Sequence, residues 1–107
     1  MEENLKERFN LAMWNICKRA KHEAKYNASR YLRMLDKNGG TETAHILINA
    51  PTVSDGYTAL WERGRLDLTV EALLWDNPEY HVLFTEDELR IAKKRLVEYQ
   101  YLPVSNR

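Results

Sequence analysis

The side chains that could do chemistry are few and scattered. Three histidines, His22, His45 and His81, stand in the chain, none within three or four residues of another histidine or of the cysteine. Metal centres draw on convergent N, S or O ligands, usually with one local pair, so this spacing argues against a metal site. Cys17 is the single cysteine. Neighbouring Lys18, Arg19 and Lys21 would lower its pKa, but a mid-helix place beside Ile16, on the Trp14 side, reads as a small core residue. One cysteine excludes an internal disulfide and suits a reducing cytoplasm. The sequence holds no Gly-rich phosphate loop, no G-x-S-x-G elbow and no H-E-x-x-H. Glu62/Asp67 and Asp67/Glu71 are residue types suited to general acid–base work. Ten acids crowd residues 41–88, however, so such pairs arise from composition. An enzyme acting here would need a concave pocket that raises the pKa of Glu62, Asp67 or Glu71. The expectation is no catalytic residue, no cofactor and no metal.

Charge is the more informative property. Lys plus Arg and Asp plus Glu number 16 each, a net charge of zero over 107 residues. The zero hides a segregation: residues 1–40 carry a net +4, residues 41–88 a net −8 and residues 89–107 a net +4. Lys18, Arg19, Lys21, Lys25, Arg30, Arg33 and Lys37 face only Glu23 and Asp36 over residues 16–37. The spacing 18, 21, 25 lines three lysines along one helix face, with Tyr26 adjacent. Such a face could neutralise phosphates, or pack on the acidic middle of the same chain.

Helical periodicity positions these groups. Leu5, Phe9, Ala12, Met13, Ile16, Ala20 and Ala24 recur at steps of three and four, one face of a long first helix. A break near residues 25–27 precedes a second helix from about Ala28 to Lys37, with Tyr31, Leu32 and Leu35 inward. Gly39 and Gly40 suit a left-handed stop. Thr41 reads as the N-cap of a third helix, with Ala44, Leu47 and Ile48 inward, and Pro51 ends it. Ser54 reads as the N-cap of a fourth helix, whose face is Tyr57, Leu60 and Trp61 and whose stop is Gly64. A fifth is expected from Asp67 to about Trp75, with Val70, Leu73 and Leu74 inward. Asn77-Pro78 opens a short helical turn over 78–82, preferred to a brief strand because no second strand exists to pair with it. Thr85 and Glu88 form a capping box, with Phe84 and Leu89 as a hydrophobic staple. The last helix turns Leu89, Ala92, Leu96 and Tyr99 inward, and the tail 101–107 is expected to fray.

The fold class expected is therefore all-α: one compact domain of five to six helices, with an ordered core over about 4–100. Helices three to five mimic a helix-turn-helix layout. A recognition helix should offer Arg, Lys, Asn or Gln to base edges, whereas these helices lie in the segment of net −8. No apolar run approaches the roughly 18–20 residues of a membrane span. The N-terminus, MEENLKERF, is charged at once and has no apolar signal-peptide core.

Two blocks are too specific for ordinary helix composition: SDGYTALWERGRLDLTVEALLW (54–75) and NPEYHVLFTEDELRIAKKRL (77–96), preceded by YLRMLDKNGGTETAHILI (31–48). Together they resemble a family of small bacterial proteins, and of domains within larger ones, without an established activity. The resemblance implies a soluble protein of bacterial or phage origin and carries over no catalytic residues. Ser54, Asp55, Gly56, Gly64 and Asp67 have structural readings, which leaves Trp61, Arg63, Arg65 and Glu71 as the residues most worth testing.

The reading favoured on these grounds is a non-catalytic interaction module that binds a protein partner. Aromatics and Arg dominate interface hot spots, so Trp61, Arg63, Arg65, Glu71 and Trp75 are the candidate contacts. The alternative is a small nucleic-acid-binding accessory protein that uses Lys18, Arg19, Lys21, Lys25, Arg30 and Arg33. An acidic middle and basic ends can also dock between copies.

Overall fold

A computed structural model describes residues 2–101, with side chains from Asn4 onward. Six α-helices follow one another: α1 (Glu2–Glu23), α2 (Ser29–Asn38), α3 (Gly40–Asn49), α4 (Asp55–Glu62), α5 (Val70–Asp76) and α6 (Glu86–Glu98). Two 3₁₀ segments, Leu66–Leu68 and Pro78–Leu83, join α4 to α5 and α5 to α6. The fold is all-α, and no strand occurs among the described residues. Its radius of gyration, 12.9 Å, matches the roughly 13 Å of a compact domain of about 100 residues. No described helix is long and apolar enough to cross a membrane.

The predicted stripe of α1 is the floor of the core. Phe9 and Met13 are fully buried, and Leu5, Ile16, Ala20 and Ala24 nearly so. The first four meet Leu35 of α2, Ala44 and Ile48 of α3, and Leu73 and Leu74 of α5, while Ala20 and Ala24 pack on Leu60 and Leu68. Tyr80 and Phe84 stand edge-on to Phe9 at 5.0 and 5.5 Å, which closes the same cluster from the second 3₁₀ segment. The stretch Pro78–Leu83 is a 3₁₀ helix and Phe84 follows it in extended backbone, so the alternation Tyr80, Val82, Phe84 is one of burial alone, with Val82 exposed between two buried rings.

Two helices end in the same way, α4 and α6: the amide just past the end reaches five residues back, Arg65 to the Leu60 carbonyl and Tyr101 to Leu96. α1 ends in a wider turn, in which the Tyr26 amide reaches six residues back to Ala20. The residue before that amide takes a positive φ, at Lys25, Gly64 and Gln100; at Gly64 and Gln100 it is the left-handed position of a Schellman motif. The glycine stop at Gly64 is legible in the sequence; Gln100 does the same work without glycine. Tyr101 is therefore held, and its hydroxyl donates to Asp76 at 2.6 Å. The expected fraying does not begin at 101, and residues 102–107 lie outside the described residues.

Two expected caps are corrected. Thr41 does not cap α3; the first amide of that helix, Gly40 N–H, donates to Asn10 Oδ1 of α1 at 2.8 Å. A Cβ on Gly40 would lie 2.8 Å from the Asn10 Cα, so only glycine lets these two helices approach so closely. Gly39, at φ 81 and ψ 170, is extended in the mirror-image region rather than in the left-handed helical one. Nor does Asp67 start α5. It sits in a 3₁₀ turn, and Thr69 caps the helix by accepting from Ala72 N–H at 3.2 Å. Ser54 caps α4 as expected, accepting from Tyr57 N–H. The Thr85–Glu88 capping box is complete in both directions, at 2.9 and 3.1 Å.

Candidate functional site

The basic and acidic segments meet inside one molecule. At the C-terminal end of α1, Arg19 binds Glu23 at 2.9 Å. Arg65, carried in by the turn after α4, binds Glu23 at 2.7 Å and Asp67 through two bonds of 3.0 Å. Arg19 also lies 3.8 Å from Asp67. Hydrogen bonds from Arg19 and Arg65 hold the Glu23 carboxyl down at about 2, and those from Arg65 hold Asp67 below the usual range. Arg19 and Arg65 are thus tied into a network. Arg8 is paired similarly, with Glu79 at 3.4 Å.

The remaining cations of α1 and α2 differ. Lys18, Lys21, Arg30, Arg33 and Lys37 are exposed, and no acid among the described residues pairs with them. Lys25 is corrected: it lies beyond α1 at φ 58, off the face that holds Lys18 and Lys21. Its ammonium folds back to donate to the His22 carbonyl at 3.2 Å, a cap on the last turn.

Arg63 and Trp61 flank the end of α4. The Arg63 guanidinium donates to the Ala24 and Ala59 carbonyls, each at 3.0 Å, and stacks over Tyr26 at 5.3 Å. Trp61 does not face the core as the α4 periodicity suggested. It is 47% exposed and rests edge-on against Tyr99 at 5.3 Å. Trp75 goes the other way: it is half-buried, packed against two core clusters and edge-on to His81 at 4.9 Å.

Glu71, expected as a surface contact, is 4% exposed. Arg95, itself buried, binds it at 2.9 Å and spends its other donors on the Leu47 and Ala50 carbonyls at 3.2 and 2.7 Å. This pair ties α5, α6 and the end of α3 together. Sequence reasoning missed it, although Arg95 and Glu88 share the inward spacing of Ala92 and Leu96 on α6. Burial pushes the Glu71 carboxyl up, and Arg95 opposes that only in part. Glu71 also borders a cavity, so it has both the raised pKa and the pocket that an enzyme acting through the acidic segment would need. The bound guanidinium occupies the carboxylate, and neither Glu62 nor Asp67 joins it there.

A second buried acid, Glu88, accepts from Asn49 at 2.7 Å and from His45 Nδ1 at 2.5 Å besides closing the capping box. Burial pushes its carboxyl up, but the Thr85 amide, His45 and Asn49 outweigh that and hold it low. Cys17 is buried, and burial raises its thiol pKa, the wrong direction for a nucleophile. Among the described residues no three His, Cys, Asp or Glu side chains converge as metal ligands would.

The cavity, about 670 Å³, opens between the C-terminal half of α1, α2, the end of α3 and the start of α4. Ile16, Cys17, Met34, Leu47, Leu60 and Leu68 line it within; Arg30, Arg33, Ser54 and Asp55 border it as well. Gly56, beside it, would place a Cβ 3.5 Å from the Tyr26 hydroxyl, an ordinary contact, so space alone does not require glycine there.

No family model, no curated protein and no solved structure matches the chain.

Proposed function

We propose that the protein is a non-catalytic helical interaction module, a cytoplasmic accessory protein of bacterial or phage origin, that binds a protein partner through the end of α4. The observation that carries the reading is Trp61, a tryptophan left 47% exposed on a fold that buries its other large aromatics more deeply. It is not loose: Tyr99 supports it from below. A pre-positioned aromatic loses little side-chain entropy on binding, which favours it as an anchor. Arg63, locked by two carbonyls and Tyr26, presents its charge from a fixed position beside it. Of the candidate contacts, Trp61 and Arg63 carry this reading; Arg65, Glu71 and Trp75 act within the fold.

The second reading, contact with nucleic acid, is favoured by Lys18, Lys21, Arg30, Arg33 and Lys37, which pair with no acid among the described residues. Phosphate contacts of this kind weaken steeply with salt.

One experiment separates the two. The tagged protein is recovered from its native cells with and without nuclease, beside Trp61→Ala and Lys18→Glu/Lys21→Glu. The proposal expects a stoichiometric protein that survives nuclease, is lost with Trp61→Ala and is retained by the double lysine variant. Recovery that nuclease abolishes, or that only the lysine variant loses, assigns the molecule to nucleic acid instead. A partner bound equally well by Trp61→Ala overturns the anchor.

A further inference from the structure

The cavity beside α2 stands apart from Trp61 and carries its own inference. Its inner wall is apolar: Ile16, Met34, Leu47, Leu60 and Leu68 line it. Its volume, about 670 Å³, falls within the range of sites that enclose small molecules. Charge is confined to few lining groups. Glu71 is already neutralised by Arg95 at 2.9 Å. Asp55 stands in the first turn of α4, where a carboxylate suits the helix dipole. Arg30 and Arg33, both exposed and both bordering the cavity, have no acid at ion-pair distance among the described residues. They are one helical turn apart on α2, so both can reach one small anion.

An apolar interior bordered by two uncommitted guanidiniums selects an occupant with both properties. We propose that this cavity binds a small monoanionic amphiphile, a medium-chain carboxylate in chemical class, with its chain among Met34, Leu47 and Leu60 and its carboxylate at Arg30 and Arg33. Guanidinium suits carboxylate because two parallel N–H donors match its two oxygens. A cationic amphiphile would meet like charge at the mouth, and a neutral one would forgo the ion pair.

Decanoate, decanol and decyltrimethylammonium, each below its aggregation limit, are titrated into the full chain and followed by methyl NMR. Saturable shifts at Ile16, Met34 and Leu60 with decanoate are expected, with Leu11 and Val82 unmoved. The two latter are exposed apolar residues outside the cavity. Arg30→Gln/Arg33→Gln should keep the fold and weaken decanoate about fivefold, the scale of two partly exposed ion pairs, while leaving decanol unchanged. Cys17, the only cysteine, gives an independent readout: its alkylation should slow as decanoate saturates. Shifts spread over Leu11 and Val82, or unchanged alkylation at saturation, overturn the site. Equal binding of all three amphiphiles, or of decanoate by the arginine variant, overturns its anionic specificity. Neither result bears on Trp61.

Discussion

Two ion clusters lie four residues apart in the same stretch of chain and behave oppositely. Asp67 joins Arg19, Glu23 and Arg65 at the surface, where every member keeps a quarter or more of its side chain in water. Glu71 and Arg95 pair where less than a tenth of either side chain is exposed. The chemistry is the same, carboxylate against guanidinium at about 3 Å. The difference is desolvation. At the surface, attraction is cheap to form and weak, so the carboxyls are pulled low. Inside, burial outweighs the partner, and the Glu71 carboxyl is pushed up. The first cluster neutralises Arg19, which the sequence offered as a phosphate contact, and Arg65, which it offered to a protein partner. The second fixes where three helices meet, and its cost is recovered only while both partners remain.

The sharpest way to break that contrast is Arg95→Met. It strands Glu71 in the core and frees the Leu47 and Ala50 carbonyls. Urea unfolding should show a loss of about 3–5 kcal/mol. Adding Glu71→Leu should recover part of that, since a buried pair replaced whole costs less than one broken. If the double variant is no more stable than Arg95→Met, the stranded charge was not the cause.

Next in size is Gly40→Ala, which should cost about 1–3 kcal/mol by forcing α3 off Asn10 of α1. It tests whether packing, rather than either ion cluster, sets the α1–α3 crossing. Arg65→Ala, by contrast, should cost less than either at low salt and still less at high salt, because its cluster is screened. A loss as large as that of Arg95→Met would erase the distinction between the two clusters.

The smallest expected effect is on the acid limb of stability. Glu23 and Asp67 have lowered folded pKa values, so their contribution is present above their unfolded values and is lost as pH falls through the folded ones. For Glu23 that window runs from 4.5 to about 2. Glu71 has the opposite sign: its raised pKa makes the folded state bind the proton more readily, so it opposes acid unfolding. Glu23→Gln should flatten the fall in stability below pH 4.5. An unchanged slope would show that Glu23 is not held low by its arginines.

Most of the fold was legible because local rules and packing agree in this chain. The apolar stripe of α1, the Ser54 cap, the Pro78 turn and the Thr85–Glu88 box are all short-range signals, and each forms. What was not legible is long-range. Thr41 looks like a cap, but Asn10, thirty residues before Gly40, supplies the acceptor. Asp67 looks like a cap, but Arg65 claims it and Thr69 takes the role. Glu71 looked like a surface acid because its partner lies 24 residues away. Its setting, V-E-A-L-L on a helix whose neighbours all turn inward, was the available signal. Trp61 was misplaced because periodicity fixes a face and not where the core stops. α4 is short, and its last turn runs past the packed layer to the edge at Tyr99.

The central claim is that Trp61 is supported from below yet left outside the core. Urea unfolding of Trp61→Ala beside Trp75→Ala tests it most directly. The account predicts that Trp61→Ala costs under about 2 kcal/mol, chiefly the lost edge contact with Tyr99. It predicts that Trp75→Ala costs about 3 kcal/mol or more, as large core truncations do. A Trp61→Ala loss equal to or larger than that of Trp75→Ala would contradict it.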